Sequence, residues 1–258
     1  MVDDVRNPLQ AEMYAQLSDW QFQRGINLMD QAARRDALRE GHTILDIGCG
    51  TGGLTCELAR RAGSSGRVIA IDPDRDRIEL ALGQTPASLT NIAYHQAFAE
   101  QLPFVEPQSV DFAYSNYVFH WVVDKDAALQ ALRRCLRPGG QIGVECCEIA
   151  LAPVLEEVTA LNGESGQRLL ARFQSLDLAG WKAAMARHNI ALEEINLLDL
   201  EYEFPDLPAL LAWWQGTTHG VVRTENFSPA AMQKMYERFP GKVEFRGPSI
   251  RFFARIAE

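Results

Sequence analysis

Between residues 41 and 147, short apolar runs alternate with stretches of helical spacing, and that rhythm sets the fold class. Thr43 to Ile47 and Arg67 to Ile71 read as buried strands; Asn91 to His95, Val110 to Ser115 and Gln141 to Cys147 follow as the third, fourth and fifth. Arg75 to Leu82 and Asp126 to Leu136 have helical spacing. The second ends at Arg137-Pro138-Gly139-Gly140, a proline and glycine stop. Strands alternating with helices predict βαβ units and a mostly parallel sheet.

The flanks follow another pattern. Residues 1–40 read as a helical cover, with apolar spacing from Met13 to Asp36 through Leu17, Trp20, Ile26, Leu28 and Met29. Residues 148–190 are helical around Pro153 to Leu161 and Gly166 to Arg187, Glu194 to Phe204 reads as a sixth strand, and Val243 to Ala257 as a seventh. Residues 205–240 form a second insertion rich in aromatics, among them Trp213, Trp214, Phe227 and Tyr236. No repeat or flexible linker interrupts the chain, so residues 1–258 read as one domain: a core at 41–147 and lid insertions at 148–190 and 205–240.

Charge and cysteine usage narrow the partners. A net charge of −9 over 258 residues argues against a nucleic-acid substrate, which needs a basic face. The pairs Arg34-Arg35, Arg60-Arg61 and Arg133-Arg134 lie on predicted helices as solvated surface. Five cysteines without Cys-x-x-Cys spacing suit a reducing cytoplasm and suggest no metal site. Cys146 and Cys147 are adjacent on a strand and face opposite sides, so packing is expected there rather than a disulfide. The polar, acidic N-terminus does not read as a signal peptide, and no apolar run is long enough to span a membrane.

The chemistry concentrates after the first strand. Ile44-Leu45-Asp46-Ile47-Gly48-Cys49-Gly50-Thr51-Gly52-Gly53 carries an acid into a glycine loop, the way an α/β sheet presents backbone to a nucleotide-like ligand. Gly48-x-Gly50-x-x-Gly53 satisfies the dinucleotide fingerprint, with Asp72 about 20 residues on for a ribose contact. Asp46 argues the other way. A carboxylate aimed into the loop is unwelcome beside a pyrophosphate and useful beside an ammonium group. S-adenosylmethionine (SAM) has an ammonium and no phosphate. Asp72 reads as the acceptor of both ribose hydroxyls or as the N-cap of the helix from Arg75, a cap that Asp74 can equally supply.

Five landmarks in order then resemble the class I SAM-dependent methyltransferases: Leu45 to Gly52, Ile71-Asp72-Pro73, Leu102-Pro103-Phe104, Asp111-Phe112 with Ser115-Asn116, and Leu136 to Gly140. The resemblance covers residues 40–147 and implies a Rossmann-like α/β fold: a seven-stranded, mostly parallel sheet with helices on both faces and a helical lid. It implies SAM as cofactor, S-adenosyl-L-homocysteine as its product, and contacts from Asp46, Gly48, Cys49, Gly50, Asp72, Pro73, Phe98, Ala99, Ser115 and Tyr14. One departure stands out. Many members place an acid on the adenine amino group, where this chain has Phe98 between Ala97 and Ala99, an apolar wall for the adenine or a core residue.

The flanks resemble the small-molecule carboxyl methyltransferases of the trans-aconitate, malonyl-carrier-protein and juvenile-hormone-acid type. The resemblance rests on Tyr14 with Gln21, on Phe119-His120-Trp121, and on Trp213-Trp214-Gln215-Gly216-Thr217. It implies that Gln21 and Trp121 hold a substrate carboxylate. Trp213 and Trp214 occupy adjacent helical positions and point about 100° apart, so one is expected in the core and the other lining the pocket. A carboxylate of pKa about 4 is ionised at neutral pH and needs no base. A hydroxyl, amine or carbon acceptor of a natural product would need one, with His120 or His219 as candidates; each also reads as a structural or loop residue. The expectation is a cytoplasmic methyltransferase acting on a small, fairly apolar molecule. Outside that class stand a nicotinamide-dependent oxidoreductase using the same loop and a protein that binds SAM without turning it over.

Overall fold

The computed structural model describes residues 18–148, 153–218 and 220–257. Its strands are β1 (Thr43–Ile47), β2 (Arg67–Asp72), β3 (Ile92–Gln96), β4 (Val110–Asn116), β5 (Leu136–Cys147), β6 (Ile190–Phe204) and β7 (Val243–Ile256). They form one sheet in the order β3-β2-β1-β4-β5-β7-β6. The strands from β3 across to β5 pair in parallel, and β7 runs antiparallel to both its neighbours. The fold is the expected Rossmann-like α/β arrangement, mostly parallel, with helices on both faces.

Side-chain alternation along β1 explains how the two faces are covered. Ile44 packs with Leu28 and Met29 of α1 (Asp19–Arg34), Leu58 of α2 (Gly53–Ala62) and Ile78 of α3 (Arg75–Gln84). Leu45 and Ile47 pack on the other face with Leu129 and Leu132 of α4 (Lys125–Cys135) and Trp181 of α7 (Leu178–Arg187), which follows α5 (Pro153–Leu161) and α6 (Gly163–Arg172). Because both faces are covered, β1 and β4 are buried almost throughout. Gly25 lets α1 approach closely, since a Cβ there would lie 2.5 Å from Leu54.

A third apolar cluster forms the lid. It joins α5 and α6 to α8 (Leu207–Thr217), α9 (Pro229–Arg238) and the 204–245 ends of β6 and β7, and it takes in Trp20 of α1 and Tyr117. Beneath it lies a buried charge cluster. The Glu145 carboxylate accepts from Arg24 and Arg251 and, at 3.1 Å, from the Tyr117 hydroxyl, while Arg24 also donates to Ser249 at 2.8 Å. Arg24 therefore pins α1 to the sheet.

Three elements differ from the sequence reading. β5 begins at Leu136 and not at Gln141, because Pro138 and Gly139 are absorbed where the register against β4 jumps between Val110 and Phe112. The helix expected over Gly166 to Arg187 is two helices. The second is restarted by Asp177, which accepts from the Gly180 N–H at 2.6 Å. β6 starts earlier than expected, at Ile190. Among the described residues, no helix is long and apolar enough to cross a membrane.

Candidate active site

The strand order turns back between β1 and β4, and in such sheets ligands sit outside the carboxyl ends of the strands at that point. A cleft of about 400 Å³ opens there, within the range usual for small-molecule sites. The loop after β1 forms its floor. The N–H groups of Gly48 and Cys49 donate to the Ile71 carbonyl at 2.8 and 2.9 Å, tying the loop to β2. Gly48 has φ +73°, and a Cβ there would lie 2.1 Å from Val118, so only glycine fits.

Asp72 sits at the carboxyl end of β2 and lines the cleft. Its two oxygens accept the N–H groups of Gly50 and Asp74, each at 2.9 Å, and each keeps a second lone pair for a ligand hydroxyl. The capping alternative falls to its neighbour: Asp74 accepts from the N–H groups of Asp76 and Arg77 and caps α3. Cys49, Gly50 and Pro73 complete this side. Burial pushes the Cys49 thiol up, so it stays protonated.

Asp46 is placed differently from expectation. Its carboxylate lies under the loop and off the cleft wall, accepting the Thr55 hydroxyl at 2.7 Å, and burial pushes its pKa up to about 7. The charge argument that favoured SAM over a pyrophosphate therefore loses its premise, because the carboxylate is not aimed into the loop. Three other expected cofactor contacts are also away from the wall. Ser115 is fully buried and donates to the Ile47 carbonyl at 3.1 Å, Ala99 is in the core, and Phe98 stands half exposed outside the cleft. Tyr14 lies outside the described residues.

Gln21 and Trp121 do share this cleft. α1 brings Gln21, whose carbonyl accepts from the Asn116 side-chain amide at 2.9 Å. The turn after β4 brings Trp121, which packs edge-on against Phe173 at 5.4 Å, and its indole N–H makes no hydrogen bond to a described residue. Trp213 and Trp214 correct the expectation that one of them lines the pocket. Both are in the lid core, stacked at 5.7 Å, with their N–H groups donating to Gln21 Oε1 and Thr159 Oγ1.

His120 is not on the cleft wall either. It is buried, its Nδ1 accepts the Cys147 N–H at 3.3 Å, and burial with Lys125 nearby lowers its pKa to about 3. A ring held neutral so firmly is a poor proton acceptor at neutral pH. It serves instead as a packing partner of Trp121, their ring centroids 5.1 Å apart. His219 lies outside the described residues.

Several wall residues were given no role from the sequence. Arg77 lines the cleft and donates to the Gly216 carbonyl at 2.6 Å. Asn116 and Thr217 each leave a buried oxygen, Oδ1 and Oγ1, without a partner among the described residues. Asn116, Tyr117 and Val118 follow a strand that ends at the switch point, a signal their position carried. Arg77 gave no local signal, being an ordinary helix position, and Thr217 stood only as the end of the Trp213 to Thr217 run.

Comparison with known proteins agrees with this architecture. Residues 44–140 match the family model described as a methyltransferase domain. The chain is 31% identical over 141 residues to the ubiquinone/menaquinone biosynthesis C-methyltransferase UbiE of Escherichia coli, a match covering 54% of this chain and 55% of that protein. The chain thus spans about half the length of the curated relatives it matches. Among solved structures, YcgJ of Bacillus subtilis superposes with a TM-score of 0.64 at 18% identity, covering 90% of this chain and 99% of that one. Geranyl diphosphate C-methyltransferase of Streptomyces coelicolor, solved with S-adenosyl-L-homocysteine, superposes with a TM-score of 0.57 at 17% identity, covering 98% of this chain and 87% of that one. Residues 44–140 are thus similar to a methyltransferase domain, and the chain shares its fold with a solved methyltransferase that holds S-adenosyl-L-homocysteine.

Proposed function

We propose that this chain transfers the methyl group of SAM to a carboxyl oxygen of a small, fairly apolar molecule. The observation that carries this reading is that Gln21 and Trp121, from distant segments, line the same cleft as Gly48, Gly50 and Asp72. The cleft suits SAM. Asp72 has lone pairs for ribose hydroxyls, and the partnerless oxygens of Asn116 and Thr217 offer places for its polar groups. SAM supplies a methyl group already activated on a sulfonium.

The protein's work is then positioning and desolvation. Gln21 and Trp121 give the carboxylate N–H donors in place of water, and Phe22, Leu54 and Val118 make the neighbouring wall apolar. Holding two reactants in line is worth roughly 7–11 kcal/mol of barrier. No proton has to move, which fits a cleft wall without a histidine among the described residues.

A second reading is methylation at carbon, favoured by the match to proteins named C-methyltransferases. Product stability separates the two. With methyl-labelled SAM and a panel of apolar carboxylic acids, the carboxyl reading expects label that mild base releases as methanol. Base-stable label would overturn the carboxyl reading, and a product whose NMR spectrum places the methyl on carbon would establish the carbon reading in its place. Parallel titration with S-adenosylhomocysteine should give binding that Asp72→Ala abolishes, and undiminished binding would remove Asp72 from the cofactor site.

A further inference from the structure

Gln21 lines the cleft at 6% exposure, and its Oε1 lies 3.3 Å from Nε1 of Trp213. An indole nitrogen only donates, so this bond settles which end of the Gln21 amide is oxygen. Nε2, with its two hydrogens, is the end that makes no hydrogen bond to a described residue. Trp213 is itself held firmly, its ring 5.3 Å from Phe204, 5.5 Å from Phe245 and 5.7 Å from Trp20. The main chain of Gln21 is anchored separately, through its carbonyl and Asn116.

We propose that Trp213 is a positioning residue for the acceptor site: its N–H locks the Gln21 amide with the donor end available to the cleft, so the site selects an anionic, hydrogen-bond-accepting group over an amine. Without that lock, the amide can turn over and offer oxygen instead, at no cost in shape. The lock makes Gln21 one-sided. With the Trp121 N–H also unpaired among the described residues, two donors line the same cleft, which suits a carboxylate. This inference rests on the carboxyl reading and adds the device that enforces it.

The test is calorimetric titration of octanoate and octylamine, with S-adenosylhomocysteine saturating, into wild type, Trp213→Phe and Gln21→Glu. Wild type should favour octanoate by at least about tenfold, the scale of one hydrogen bond to a charged group. Trp213→Phe keeps an aromatic ring and should reduce that preference to within about threefold, with S-adenosylhomocysteine affinity held within about threefold. A merely structural defect would weaken both probes and S-adenosylhomocysteine together. Gln21→Glu leaves an oxygen for the indole and puts a carboxylate oxygen at the cleft end, so it should favour octylamine; this variant decides if Trp213→Phe does not fold. Undiminished octanoate preference in Trp213→Phe, or in Gln21→Glu, overturns the positioning role. Wild type that prefers octylamine, or binds neither probe, overturns the carboxyl reading itself.

Discussion

Nη2 of Arg77 donates to the carbonyl oxygen of Gly216 at 2.6 Å, joining the first turn of α3 to the last turn of α8. Carbonyls at a helix end lack intrahelical partners, and a cation there also complements the helix dipole. Arg77 and Thr217 both line the cleft, so the bond ties the β2–α3 wall of the cleft to its lid. Arg77→Met should raise hydrogen exchange across residues 214–218 and weaken S-adenosylhomocysteine binding by about tenfold, the loss of a hydrogen bond with a charged donor. Unchanged exchange would show that α8 is held without it.

Trp121 is expected to act on the acceptor and not on the cofactor. Trp121→Phe keeps the packing against Phe173 and His120 but removes the N–H. It should raise KM for a carboxylic-acid acceptor by about tenfold or more. Trp121→Ala should abolish turnover, with S-adenosylhomocysteine affinity within a few fold of wild type for both variants. Equal loss of cofactor affinity would make Trp121 a packing residue.

The Glu145 cluster should matter for stability. Glu145 is fully buried and takes donors from Arg24, Arg251 and Tyr117. Glu145→Gln leaves two arginines without their counter-charge, and breaking a buried pair costs about 3–5 kcal/mol. Urea unfolding should show a loss of that order. Because Arg24 holds α1, which also carries Gln21, acceptor affinity should fall as well.

Two buried groups should shape the pH dependence of stability in opposite senses. His120 titrates at about 3 in the folded chain against 6.5 ordinarily, so on acidification the unfolded chain takes a proton that the folded chain refuses. That contribution is complete above pH 6.5 and is lost as pH falls toward 3. Asp46, raised from 3.8 to about 7, keeps a proton that the unfolded chain releases, so its contribution is present below pH 3.8 and is lost as pH rises toward 7. Each tenfold difference in proton affinity is worth about 1.4 kcal/mol. Denaturation from pH 4 to 8 should show His120→Gln flattening the loss of stability on the acid side and Asp46→Asn flattening the loss toward neutrality. If neither substitution alters the profile, other groups set it.

The sequence by itself determined the parts whose geometry is local. The apolar runs of β1, β2 and β4 dictate a parallel sheet. The Gly48 to Gly53 turn follows directly on β1, and Asp72 ends β2, so a strand, a turn and a helix start were enough to place them. Gln21 and Trp121 were legible only through resemblance, since nothing local in a helix or a turn says that it faces a cleft.

Packing between distant segments decided the rest. Strand alternation said that Asp46 faces away from Leu45 and Ile47, but only the seating of α2 on that side gave its carboxylate to Thr55 instead of the cleft. Adjacent helix positions said that Trp213 and Trp214 diverge, yet α8 is enclosed by α5, Trp20 and the β6–β7 ends, so both rings became core. Arg77, Asn116 and Thr217 meet at one cleft because strand order turns back between β1 and β4. That turn is a property of how the strands assort in space, and no short stretch of chain encodes it.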